Sequence, residues 1–101
     1  MSSVASLRGI TRAKIHRYII LKILDWGGEL KFKDLEEWSN LEPKYIINAL
    51  RSLLSWSCIK KGKDENGYVT YRINSTGKRV LRVYEERGLK NYWKPPWESQ
   101  K

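Results

Sequence analysis

Apolar residues near the start of the chain recur on a helical period. Ile15, Ile19 and Ile23 stand four apart, with Ile20 and Leu24 beside them, so they line one face of an amphipathic α-helix. Thr11 is its candidate N-cap, and Gly27-Gly28 its stop. Glu29-Leu30-Lys31-Phe32 alternates polar and apolar, which predicts a very short strand or extended link. A short helix follows over 33–39, with Leu35 and Trp38 on one face, then a tight turn at Asn40-Leu41-Glu42. Pro43 suits the first turn of a helix, where its missing N–H costs nothing. That helix runs to about Trp56. Its buried stripe is Ile46, Leu50, Leu53 and Leu54, and Lys44, Tyr45, Asn48, Arg51, Ser52 and Ser55 fall on the other side.

The period then changes from helical to alternating. Residues 58–63 and 68–74 read as two strands joined by the turn chemistry of Asp64-Glu65-Asn66-Gly67. Val69, Tyr71 and Ile73 share one face of the second strand, and Tyr68, Thr70 and Arg72 the other. Ser75 or Thr76 is the candidate cap of a last helix whose apolar residues are Val80, Leu81, Val83 and Tyr84, ending near Gly88. The organisation is a flexible basic arm (1–10), one domain (11–88) and an aromatic, proline-containing tail (89–101). With 101 residues there is room for one core. Trp26, Trp38 and Trp56 are expected in that core. Tyr92, Trp93 and Trp97 in the tail either pack on their own domain or form a dimer contact, and the second is the expectation.

Charge adds a direction. Twenty Lys and Arg oppose eleven Asp and Glu, a net charge of +9. The signs are segregated: 1–24 and 43–63 carry cations without acids, while 25–42 holds Asp25, Glu29, Asp34, Glu36, Glu37 and Glu42 against Lys31 and Lys33. A surface without a target intersperses its signs, and a basic excess favours a polyanion, nucleic acid above all. Catalytic readings find little support. His16 is the lone histidine and Cys58 the lone cysteine. Neither has an orienting partner nearby in sequence, and Cys58 is expected in the core. One cysteine makes no internal disulfide. No cofactor, no metal and no enzymatic activity are expected. No run approaches the ~20 apolar residues of a membrane span, and residues 1–9 lack a secretory h-region, so a cytoplasmic, nucleoid-associated protein is expected.

The order of helix, short strand, helix, tight turn, helix, two-stranded hairpin and helix resembles the winged helix-turn-helix superfamily over about 11–87. Within it, 35–50 matches the helix-turn-helix pattern. Leu35 and Trp38 take the apolar places of the first helix, Asn40 the left-handed turn place, Leu41 the apolar place after it, and Ile46 and Leu50 the inward anchors of the recognition helix. Glu36 stands where a small residue is usual, and Glu42 where a Ser or Thr cap is usual. The runs Ala49-Leu50-Arg51-Ser52-Leu53-Leu54, Ile59-Lys60-Lys61 and 71–78 look most like the PadR and MarR groups, of the small basic type common in crenarchaea and their plasmids and viruses.

The resemblance implies an α+β, mainly α fold: a three-helix core, a two-stranded hairpin wing and a C-terminal helix. It implies double-stranded DNA as partner and a homodimeric transcriptional regulator, a repressor. Lys44, Tyr45, Asn48, Arg51 and Ser52 would then address the major groove. Lys60, Lys61, Lys63 and Arg72 on the wing, one cationic cluster opposite the apolar Val69, Tyr71 and Ile73, would address phosphates. Arg8, Arg12 and Lys14 are weaker candidates in the N-terminal arm. Two alternatives stand beside this reading. One is a DNA-coating partition or chromatin-architectural protein; the other is a protein-binding winged helix that docks a partner through the acidic helix 34–39.

Overall fold

A computed structural model describes residues 10–99. Helix α1 (Arg12–Gly27) opens on Thr11, whose Oγ1 accepts the Lys14 N–H at 3.1 Å. It closes where Gly28, at φ 80°, donates its N–H to the Leu24 carbonyl at 2.9 Å. The second half of α1 is buried nearly all round, through Tyr18, Ile19, Ile20, Leu21, Ile23 and Leu24. It is the central helix: α2 (Phe32–Ser39), α3 (Pro43–Ser55) and α4 (Ser75–Glu86) all pack against it. The buried stripe of α3 is Ile46, Ala49, Leu50 and Leu53, with Leu54 at its edge.

The strands are β1 (Leu30–Lys31), β2 (Ile59–Lys63) and β3 (Val69–Ile73), all antiparallel in the order β1-β3-β2. The hairpin is thus extended by the two-residue β1, through Leu30 opposite Tyr71 and Lys31 opposite Thr70. That pairing makes β3 the central strand. The buried residue of β3 is Thr70, whose hydroxyl donates to the Glu29 carboxylate. Val69, expected on the packed face, is 42% exposed because it lies beyond β1 toward the hairpin tip.

The cap of the last helix differs from expectation. Helix α4 is capped by Asn74, not by Ser75 or Thr76. The Asn74 carbonyl Oδ1 accepts the Gly77 N–H at 2.8 Å, and its Nδ2 donates to the Ser57 carbonyl at 2.7 Å. Gly77 is required by close approach: a Cβ there would lie 2.2 Å from the Cys58 carbonyl oxygen.

The chain after Gly88 is part of the packed body. Gly88 takes a left-handed conformation (φ 89°), and Leu89, in a 3-10 turn over Leu89–Asn91, is fully buried. Trp97 stacks on Trp26 with centroids 4.2 Å apart and planes 7° apart, and meets Trp38 edge-on. Trp93 sets its ring against Tyr18 and Trp97. The core therefore does not end at residue 88. Trp26 and Trp56, expected in the core, are each nearly half exposed: Trp26 lies in the last turn of α1 and is covered by the rings of Trp97 and Trp38, and Trp56 sits past the last turn of α3. Ile10, expected in the arm, packs against the core, while residues 1–9, Arg8 among them, lie outside the described residues. Among the described residues no helix is long and apolar enough to cross a membrane.

Candidate nucleic-acid interface

The geometry begins with the turn between α2 and α3. Asn40 adopts the left-handed conformation its place in the turn requires (φ 59°, ψ 25°), and its N–H closes α2 on the Glu36 carbonyl at 3.0 Å. Asn reaches this region more readily than other residues with a Cβ. Ser39 is buried, and its hydroxyl accepts the Leu41 N–H at 3.1 Å. Glu42 makes no side-chain cap. Its carbonyl instead accepts from Tyr45 and Ile46, and Pro43 removes one donor that would otherwise need a partner.

Helix α3 so placed has an outer crest at i, i+4, i+7 and i+11: Lys44, Asn48, Arg51 and Ser55, all exposed. Tyr45 and Ser52, expected with them, turn toward α1. Tyr45 packs on His16 with centroids 4.8 Å apart, and the Lys44 ammonium lies 5.1 Å from its ring. Between α1 and α3 lies a cleft of about 240 Å³ whose polar lining is Arg12, His16, Arg17, Tyr45, Asn48 and Ser52. Burial, then the Arg12 guanidinium, lowers the His16 pKa from its usual 6.5. Arg17 is a structural tie: its Nε donates to the Tyr84 hydroxyl at 3.1 Å and its guanidinium covers Trp56 at 4.6 Å.

The register of the hairpin divides the wing cations. Lys61 stands opposite Tyr71 and Lys63 opposite Val69; Lys60 stands opposite Arg72. Cross-strand partners share a face and successive residues alternate. Lys61 and Lys63 are therefore on the face of Tyr71 and Val69, and Lys60 and Arg72 on the reverse. One apolar face backing one cationic face does not exist here. Lys61 lines a groove of about 210 Å³ with Tyr71, Phe32 and the α3 residues Ile47, Leu50, Arg51 and Leu54. Arg72 lines another with Leu24, Asp25, Glu29 and Lys78. Of the expected acids at the tip, Asp64 is occupied: its Oδ1 accepts the Asn66 and Tyr68 N–H groups, both at 2.9 Å. Asp34, in the acidic helix, accepts the Lys31 N–H at 3.0 Å.

Two neighbours of the site do not stand out in the sequence. Ile47 is 45% exposed beside Arg51 and Lys61. Its spacing from Leu50 and Leu54 suggests the buried stripe, and the edge of that stripe is where it sits. His16 carries no local signal, since its partner Tyr45 is on another helix. In the tail, Trp93 and Trp97 set their rings against their own domain, and Tyr92 is left 46% exposed. Cys58 is buried and its thiol pKa is raised by burial, the state of an unreactive core thiol.

Known proteins share this architecture. BpsR of Bordetella bronchiseptica, whose DNA binding is regulated by 6-hydroxynicotinic acid, superposes with a TM-score of 0.67 at 11% identity, over 82% of this chain and 64% of that one. A MarR family transcription regulator gives 0.65 at 18% identity, over 86% and 60%. Another, from Silicibacter pomeroyi, gives 0.67 at 20% identity, over 95% and 71%. At these identities the likeness is one of fold, a winged helix of the MarR kind, and the chain spans less than two thirds of the first two proteins. No family model matches the chain. In sequence it is 31% identical over 77 residues to an uncharacterized HTH-type transcriptional regulator of Methanocaldococcus jannaschii, covering 72% of this chain and 71% of the relative. These relatives are transcription regulators, not enzymes. With its left-handed turn at Asn40, its exposed α3 crest and this relative, the chain belongs to the HTH-type transcriptional regulators.

Proposed function

We propose that the chain binds double-stranded DNA by laying α3 in the major groove, and represses transcription by occupying its site as a homodimer. The observation that carries this reading is the crest of Lys44, Asn48 and Arg51, exposed along a helix held out by the Asn40 turn. A helix about 10–12 Å across fits a groove about 12 Å wide. Asn pairs bidentately with adenine and Arg or Lys with guanine, each worth about 1–3 kcal/mol of discrimination. Ile47 at the edge of the crest offers apolar contact to a thymine methyl. Lys61 and Lys63, on the wing face that borders α3, and Arg12, which lines the α1 cleft, would meet phosphates on this reading. For the dimer contact, Tyr92 is the tail aromatic with a free face, and two copies would double the phosphate contacts on a symmetric site.

Titration of a mixed-sequence duplex at low and moderate salt tests the reading. Duplex binding whose log affinity falls linearly with log salt, by roughly 0.9 per phosphate neutralised, is the expected result. Absence of measurable duplex affinity at low salt overturns it.

A further inference from the structure

The chain has a second cationic face, on elements and strand positions distinct from those of the first. Helices α3 and α4 both pack on α1 and scarcely on each other. Ala13 and His16 of α1 border α3, whereas Tyr18 and Lys22 border α4, where Lys22 pairs with Glu85 at 2.7 Å. Helices α3 and α4 thus flank different sides of α1, joined where Arg17 covers Trp56 beyond α3 and donates to Tyr84 of α4. On α4 the buried side is Gly77, Leu81 and Tyr84, and Lys78, Arg79 and Arg82 are exposed. The reverse face of the wing continues this stripe, since Arg72 lines one groove with Lys78 and Lys60 stands opposite Arg72.

None of these five cationic side chains makes an ion pair or hydrogen bond among the described residues. The acids nearby are Asp25 and Glu29, on the α1 side of the groove, and Glu85 and Glu86 at the end of α4, where Lys22 neutralises Glu85. Glu29 already accepts from Thr70. We infer that the face of Lys60, Arg72, Lys78, Arg79 and Arg82 binds a second duplex segment, so that one chain bridges two. This rests on the DNA-binding reading above.

The charge of the patch selects the occupant. An isologous dimer contact would bring this patch against its own copy, and like charges would then oppose like. A duplex is the complementary surface: each strand presents a charge about every 3.4 Å along the axis. Lys78 and Arg82, one helical turn apart at about 6 Å, reach neighbouring phosphates of one strand.

The test is a two-duplex capture with the full chain. One duplex is fixed to beads and a second, labelled duplex is free, and retention is read with wild type and with a variant carrying Arg72→Gln, Lys78→Gln, Arg79→Gln and Arg82→Gln. The side chains are exposed, so folding is checked by circular dichroism and should be unaltered. Wild type should retain the labelled duplex. The variant should retain about tenfold less while its affinity for a single duplex changes less than about threefold. Wild type that binds the fixed duplex but captures no second one overturns the bridging and leaves DNA binding intact. Capture that persists in the variant also overturns it, assigning bridging to two α3 faces of an assembly. A wild type that binds no duplex at all removes both readings.

Discussion

The C-terminal segment and the crest of α3 are built from residues that equally suggest a partner, and the fold uses them in opposite ways. Trp93 and Trp97 set their rings against Tyr18, Trp26 and Trp38 of their own chain. Lys44, Asn48 and Arg51 are left exposed. Residue type proposes a binding group, but the contacts already made inside the chain decide whether it is free to act. The tail is expected to register in stability and not in base preference, the crest in base preference and not in stability.

The largest effect should come from removing the tail. Ending the chain at Gly88 takes away Leu89, whose truncation alone is worth about 2–5 kcal/mol as a buried leucine, together with the tryptophan contacts. Against a total stability of about 5–15 kcal/mol, the shortened chain should be close to unfolding at 25 °C. Trp97→Ala alone should cost about 2–3 kcal/mol, less than a fully buried ring because Trp97 is partly exposed. Denaturant melts read both.

Next in size is the crest. Asn48→Ala or Arg51→Ala should lower the affinity for a preferred site by about 1–3 kcal/mol. Folding stability should stay within about 0.5 kcal/mol of wild type, since both positions are exposed.

A smaller effect divides the wing. Lys61→Gln with Lys63→Gln should reduce the salt slope by roughly 0.9 for each phosphate no longer neutralised, on preferred and scrambled duplexes alike. Lys60→Gln, on the reverse face, should leave the slope for a single duplex unchanged. Equal slopes for the two variants would mean that the register does not decide which cations meet DNA.

The smallest effect is that of pH through His16. Its folded pKa lies below 6.5, so the unfolded chain binds more protons in the window just under 6.5. Folding stability should therefore decline as pH falls through that window. Duplex binding should change in the opposite sense, strengthening as pH falls, because a phosphate at the α1–α3 cleft favours the imidazolium. His16→Gln should flatten both profiles, measured by melting and by binding between about pH 5 and 7.5 at constant salt, values flanking the usual histidine range.

What is legible in the chain is local. Asn40, Leu41, Ile46 and Leu50 are spaced by the helix-turn-helix itself, and the left-handed Asn40 and the packing of Leu41, Ile46 and Leu50 follow. Thr11 and Gly28 act at the ends of α1 where such residues act in any helix. What is not legible depends on partners distant in sequence. Nothing near Trp97 points to Trp26, and the two-residue β1 gains its meaning only from β3. The cap at Asn74 lies one or two residues before the expected Ser75 or Thr76, because Asn, Ser and Thr in a row all have the right chemistry and only the backbone selects among them. The wing is a different case. Lys60, Lys61 and Lys63 cannot share a face on a pleated strand, and the register then says which of them meets α3.

Whether the α3 crest reads base sequence is decided by site selection from random duplex DNA. Wild type, Asn48→Ala and Arg51→Ala would be selected in parallel at one salt concentration and the enriched sites compared. Wild type should enrich a defined site. Each variant should lose preference at one or two base pairs and keep it at the others. Enriched sites that are the same for all three proteins would contradict base reading by the crest.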